Sequence, residues 1–262
     1  MKLPIFQVDA FSGELFGGNP AAVCPLPHWL DDERLTSIAA ENNLSETAFV
    51  VPDGDDWELR WFTPTAEVDL CGHATLATAF VLFRDRPEAQ RLRFRTREEG
   101  VLTVERHERG MQMDFPTRPA TLVETPPGLA DALGGVEPVV VLRAASTMAV
   151  FDSEATVRGL LPYLGYVANM DGDGLIVTAP GDTADFVSRY FAPHVGIDED
   201  PVTGSTHCTL APYWAQRLNK STLHAQQVSR RGGALSCTIA GDRVLLVGQA
   251  VLYLEGTIEV PD

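Results

Sequence analysis

The hydrophobic positions along the chain change period repeatedly, and each change marks an element. Over residues 4–11 they alternate, with Phe6, Val8 and Ala10 on one face, which predicts a strand. Gly13, Gly17, Gly18, Asn19 and Pro20 mark a loop, and residues 21–24 a short strand. Asp31 and Asp32 open a helix with Leu35, Ile38 and Ala39 on its inner face, and Asn42 and Asn43 end it. Residues 46–51 and 57–62 read as a strand pair around the turn Pro52-Asp53-Gly54-Asp55. Residues 73–83 break the pattern: they are apolar, Thr or Ala nearly all round, so a helix there is buried on most sides. Strands are predicted next over 92–96, 101–106 and 111–115. This order does not alternate as βαβ units do, and it predicts an α+β fold with sheet wrapped around a central helix.

The second half repeats the theme. Strands are predicted over 139–143, 148–151, 175–179 and 186–191, and a helix over 153–161 with Ser153 as its cap. A second buried helix is expected over 206–218, kinked at Pro212, which has no N–H to donate. Strands over 223–229, 234–240, 243–247 and 250–254 complete the chain. The Pro-rich stretch 116–128 marks the boundary between a domain of residues 1–116, completed by about 250–262, and a domain of residues 117–249.

Asp69-Leu70-Cys71-Gly72-His73-Ala74-Thr75 and Asp200-Pro201-Val202-Thr203-Gly204-Ser205-Thr206 are similar passages, half a chain apart. In each, a polar loop runs through a glycine into a helix-like run, which suggests an old duplication. Two helix N-termini across one cleft would make a cradle for an anionic small molecule.

The net charge is −16, which excludes nucleic-acid binding through the general field and disfavours anionic membrane surfaces. Four cysteines without a C-x-x-C pair imply neither a disulfide framework nor a zinc cluster. No apolar run is long enough to span a bilayer and the first residues lack a signal-peptide pattern, so the expected location is the cytoplasm.

Several side chains are candidates for chemistry. Glu46 opens an apolar strand, where partial desolvation makes a carboxylate a better base; the plainer reading, favoured by local sequence, is a solvated strand end. Asp200 is biased towards extended backbone by Pro201 and reads either as a functional carboxylate or as a solvated turn residue or cap. His73 sits at a helix N-terminus, where the helix dipole favours a neutral imidazole able to hydrogen-bond a substrate oxygen or merely to cap the helix. His207 lies one residue deeper in its passage and reads as structural. A two-thiol racemase needs a partner for Cys71, but the equivalent position is Thr203, so Cys71 reads as a packing residue. His73, His194 and His207 have no metal-ligand spacing, and no phosphate-binding glycine motif occurs; neither metal nor cofactor is expected.

The segments Phe6–Phe11, Gly17–Val23, Ser45–Phe49, Arg60–Pro64, Asp69–Thr75 and Glu199–Ser205 together resemble the PhzF-like family of the diaminopimelate-epimerase-like fold, named for a phenazine-biosynthesis isomerase. The resemblance implies two similar domains, each a β-barrel-like sheet around a central helix, with the active site in the cleft between them, in a homodimer. It implies a cofactor-independent isomerase in which Glu46 moves a proton between carbons, assisted by His73 and Asp200. Backbone N–H groups near Gly72, Gly204 and Ser205 would hold the carboxylate of a small substrate, with Asn19 also assigned to substrate binding. The alternatives are an amino-acid racemase or epimerase using Cys71, or a non-catalytic binding protein on the same scaffold.

Overall fold

One buried helix organises each half of the chain. The computed structural model describes residues 1–261 and divides into two units, Met1–Asp114 with Val247–Asp262, and Phe115–Leu246.

The first unit begins with β1 (Lys2–Ala10), β2 (Asn19–Pro25), α1 (Asp32–Asn42), β3 (Glu46–Asp53), β4 (Asp56–Phe62), β5 (Glu67–Val68) and α2 (Gly72–Asp85), followed by β6 (Arg91–Arg95), β7 (Val101–His107) and β8 (Gly110–Pro116). β1 runs antiparallel to β2, β2 parallel to β3, and β3 antiparallel to β4. β4 carries β5 antiparallel and β6 parallel, and β6, β7 and β8 form an antiparallel meander. α2 is buried at every residue from Gly72 to Ala79 and packs on β1, β2 and β3, the environment its all-round apolar pattern requires.

α1 starts where Asp31 accepts the Arg34 N–H at 2.9 Å and stops at Asn43, which turns left-handed at φ 49°. Its Leu35, Ile38 and Ala39 pack with Phe49 and Phe62, whose rings meet edge-to-face at 5.5 Å. Burying one such large side chain stabilises by about 1.5–3 kcal/mol.

The β1–β2 loop fixes where β2 begins. Gly18 has φ 65°, and a Cβ there would lie 2.2 Å from the Ala10 carbonyl oxygen, so only glycine fits. Phe11 and Phe16 are also left-handed, at φ 62° and 69°, a strained backbone for bulky residues.

The second unit contains β9 (Thr121–Val123), α3 (Leu129–Ala132), β10 (Val140–Arg143), β11 (Thr147–Val150), α4 (Glu154–Gly159) and α5 (Leu164–Val167). It continues with β12 (Leu175–Pro180), β13 (Phe186–Ala192), β14 (Ile197–Asp200), α6 (Gly204–Leu218), β15 (Thr222–Gln227), β16 (Gly233–Ala240) and β17 (Arg243–Gly248). The last strand, β18 (Ala250–Glu259), returns to the first unit, antiparallel to β1.

α6 is the buried helix of the second unit and packs on β15 and β16. Its Trp214 stacks on Phe186 at 5.7 Å and donates to the Thr178 hydroxyl at 3.0 Å. Helix runs from Gly204 to Leu218 with Pro212 inside it, over the span expected. The Cys208 carbonyl, which an N–H at position 212 would have bound, instead accepts the backbone N–H of Arg118 at 2.8 Å. Each unit is therefore α+β, with strands around one buried helix, the arrangement expected from the sequence. Among the described residues no helix is long and apolar enough to cross a membrane.

Candidate active site

Strand register brings the first cluster together. Asn19 opens β2 opposite Ala10, and Glu46 opens β3 in parallel register with Ala21, so both stand near one end of the sheet. α2 begins beside them: Cys71 is its extended N-cap, Gly72 its first residue and His73 its second, and no side chain caps its first turn by a hydrogen bond.

His73 Nε2 lies 3.2 Å from Glu46 Oε2, and both side chains are almost entirely buried. The two atoms are within ion-pair reach but off the hydrogen-bond line, and each is buried with no hydrogen-bond partner. On the other side of the ring, Nδ1 lies 3.1 Å from Asn19 Nδ2 and 3.5 Å from Cys71 Sγ. With the amide nitrogen towards it, Nδ1 accepts and the ring proton sits on Nε2, facing Glu46; turning the amide over lets Nδ1 carry a second proton.

Burial alone pulls the His73 pKa down, but the neighbouring Cys71 and Glu46 outweigh it and hold the imidazole well above its usual value. Burial and the Glu46 charge push the Cys71 thiol up, so it stays protonated. The raised His73 value differs in direction from the neutral histidine expected at a helix N-terminus, because Cys71 and Glu46, the latter 3.2 Å away, act on the ring from other positions.

The loop into α2 is anchored from β4. Buried Arg60 forms a two-pronged pair with Glu67, Nε to Oε1 and Nη2 to Oε2 both at 2.7 Å, and Nη2 also reaches Asp32 at 2.8 Å. Its guanidinium lies over the Trp29 and Phe62 rings at 5.2 and 4.9 Å.

The second unit holds its own polar network. Asp200 closes β14, is buried, and accepts the Thr203 hydroxyl proton on Oδ2. Gln227 binds three groups: Nε2 donates to the Asp200 carbonyl at 2.8 Å and to Thr203 Oγ1 at 3.1 Å, and Oε1 accepts the Thr203 N–H at 2.9 Å. Gly204 and half-buried Ser205 begin α6, again without a side-chain cap. His207 donates from Nδ1 to the Thr203 carbonyl at 2.8 Å, and burial lowers its pKa to about 4, so it is a neutral histidine of fixed tautomer.

Glu46, His73, Asn19 and Gly72 thus meet in the first unit, joined by Cys71. Asp200, Gly204 and Ser205 lie together in the second, joined by Thr203 and Gln227. Sequence reasoning missed Gln227, although β15 carries a signal for it: Leu223, Ala225 and Gln227 share the buried face, so a polar residue occupies an inward position. It also missed the Arg60–Glu67 pair. Potential metal ligands occur in one cluster among the described residues, Glu46, Cys71 and His73, whose ligating atoms lie within 4.8 Å of one another.

The profile of the phenazine biosynthesis-like protein family matches residues 8–256. The chain belongs to that family. An uncharacterized isomerase of Pseudomonas aeruginosa is 53% identical over 261 residues, covering 99% of this chain and 100% of its own. A crystal structure of a PhzF-family phenazine biosynthesis protein from Enterococcus faecalis superimposes with a TM-score of 0.96 at 45% identity, covering 99% and 100% of the two chains. A hydroxyproline epimerase from Agrobacterium vitis shares the fold at a TM-score of 0.62 and 10% identity, over 100% of this chain and 93% of its own. Like its full-length PhzF relatives, this chain is an isomerase on a diaminopimelate-epimerase-like fold.

Proposed function

We propose that this PhzF-family isomerase moves a proton between two carbons of a small carboxylate-bearing molecule, without a cofactor, using Glu46 as the shuttle. The observation that carries the reading is the buried pair of Glu46 Oε2 and His73 Nε2, 3.2 Å apart and both without a hydrogen bond. Two buried atoms of ionisable groups, facing each other without hydrogen-bond partners, are poised to engage a substrate atom. Glu46 takes the proton from one carbon, the double bond shifts, and the same carboxyl group returns the proton to the second carbon. His73 holds and polarises the substrate oxygen on which negative charge develops. Uncapped N–H groups at Gly72 bind the substrate carboxylate, and the same chemistry is proposed for Gly204 and Ser205, with Asp200 as a further acid–base group. The resemblance that led to the family also supports a homodimer in the cytoplasm.

The experiment is incubation with a panel of small carboxylates in deuterated water, including a dihydro-hydroxyanthranilate, with products read by NMR and mass spectrometry. Product analysis matters because a shielded shuttle can return the original proton. Glu46→Gln is expected to abolish turnover while retaining fold and ligand binding. Near-normal turnover in that variant removes Glu46 from the mechanism. Cys71→Ala is expected to stay active; loss of turnover there, with the fold intact, points to thiol-based epimerisation. Ligands that bind and never isomerise point to a binding protein.

A further inference from the structure

The C-terminal end of α2 lines a cavity of about 400 Å³, within the usual size range of small-molecule sites. The cavity lies wholly in the first unit. Its Phe83 is ten residues along the helix from His73, about 15 Å at a rise of 1.5 Å per residue, so it is separate from the Glu46–His73 pair. We propose that this cavity binds an amphipathic organic anion, an apolar body bearing a carboxylate, with Arg84 and Arg106 holding the charge. Phe80, Phe83, Met111 and Val251 supply the apolar wall. No carboxylate lines it, although Asp and Glu outnumber Lys and Arg 36 to 20 in the chain.

A second observation concerns how Arg106 is held. From β7 its Nε donates to the Ala89 carbonyl and its Nη2 to the Phe83 carbonyl, both at 2.8 Å, and the guanidinium lies 4.4 Å from the centre of the Phe83 ring. These bonds close the end of α2 and use two of the three nitrogens. Nη1 has no protein partner, and among the described residues no carboxylate lies within ion-pair distance of Arg106. The arginines of the neighbouring strand β6 differ: Arg91, Arg93 and Arg95 each lie 2.6–3.3 Å from a carboxylate. A guanidinium fixed in advance loses little freedom when an anion binds it. Arg84 stands one turn beyond Phe80 on the same helix face. Its pair with Glu255, at 3.1 Å, is exposed and weak, so an incoming carboxylate competes for it. The inference does not depend on the isomerase reading, because it concerns the other end of α2 and its readout is binding.

The test uses the whole protein with isotope-labelled methionine methyl groups and 2-naphthoate as the probe. Titration followed by NMR is expected to move the Met111 methyl signal, assigned with Met111→Leu, until it saturates. The neutral 2-naphthamide, of similar shape, is expected to bind there roughly tenfold more weakly. Arg84→Gln and Arg106→Gln, checked for fold by circular dichroism, are expected to weaken naphthoate binding by roughly threefold and tenfold. Glu46→Gln is expected to leave the affinity read at Met111 unchanged, which separates this cavity from the proposed isomerase site. A Met111 signal unmoved by millimolar naphthoate overturns the proposal, as does equal affinity for the amide or unchanged affinity in both folded arginine variants. So does a Met111 signal that follows protein concentration instead of naphthoate, which marks a contact between copies of the chain. Should Arg106→Gln fail to fold, Arg84→Gln and the naphthamide comparison decide it.

Discussion

Glu46 and His73 are 27 residues apart in sequence, yet their Oε2 and Nε2 atoms meet at 3.2 Å in a site closed to water. The strand start and the helix start that supply them are separate local events, and the fold turns them into one ion pair.

That pair makes a direct spectroscopic prediction. In the wild-type protein the His73 imidazole keeps its second proton well above its usual pKa of 6.5, because its neighbours Cys71 and Glu46 together overcome burial. Its contribution to stability is full below 6.5 and is lost as the pH rises through the folded-state value. In Glu46→Gln one of the two neighbours that oppose burial loses its charge, so the His73 pKa is expected to fall from its wild-type value. Imidazole nitrogen shifts followed by NMR over the titration check this; an unmoved pKa in the variant shows that Glu46 is not the controlling charge.

Arg60 and Glu67 supply a test of how the helix start is held. Removing Glu67 leaves a nearly buried guanidinium with Asp32 as its remaining side-chain ion-pair partner. Glu67→Ala is expected to cost about 2–3 kcal/mol in urea unfolding, a little below a fully buried pair because Glu67 is partly exposed. Glu67 lies four residues before Cys71, so loosening its strand is expected to speed alkylation of the Cys71 thiol. Alkylation at the wild-type rate would show that the loop keeps its place without the pair.

Much of this was legible from the sequence because it is local. The turn at Gly54, the Asp31 cap, the inner face of α1 and the all-round apolar α2 each follow from a few adjacent residues. Glu46 and His73 were legible as residue types at special places, one at the mouth of an apolar strand and one after a helix-opening glycine. The protonation of His73 was not, because the deciding charge arrives from another element. The fate of the Cys208 carbonyl was hidden for the same reason: the local rule correctly removes its helical donor, but its replacement comes from Arg118, far away in sequence. Gln227 was the reverse case, a polar residue at an inward strand position whose partners Asp200 and Thr203 come from a distant turn.

Gln227 is therefore expected to be worth more than a surface glutamine. Its amide satisfies the Thr203 N–H, the Thr203 hydroxyl and the Asp200 carbonyl, all at a buried position. Gln227→Ala leaves that N–H without its partner and is expected to cost about 2–4 kcal/mol in urea unfolding. It also frees the Thr203 hydroxyl to leave Asp200. If stability changes by less than about 0.5 kcal/mol, water has replaced the amide and the network does not depend on it.

His207 sets the acid sensitivity of the second unit. Its pKa falls from the usual 6.5 to about 4 because the ring is buried, a lowering that the Nδ1–H bond to the Thr203 carbonyl offsets only in part. Above pH 6.5 the folded and unfolded chains both carry it neutral, and it costs nothing. Between 6.5 and 4 the unfolded chain takes up a proton that the folded chain refuses, so stability falls with pH, by up to about 3 kcal/mol once pH drops below 4. His207→Asn keeps an N–H near the position of Nδ1 and removes the titration. It is expected to be less stable at neutral pH, because the ring's contact with Phe186 is lost, but flatter across that window. Urea unfolding of both proteins from pH 7 to 4 measures the difference directly. Parallel pH profiles would mean that the buried ring is protonated in the folded state after all, with Nε2, which has no partner within the protein, donating to a bound water.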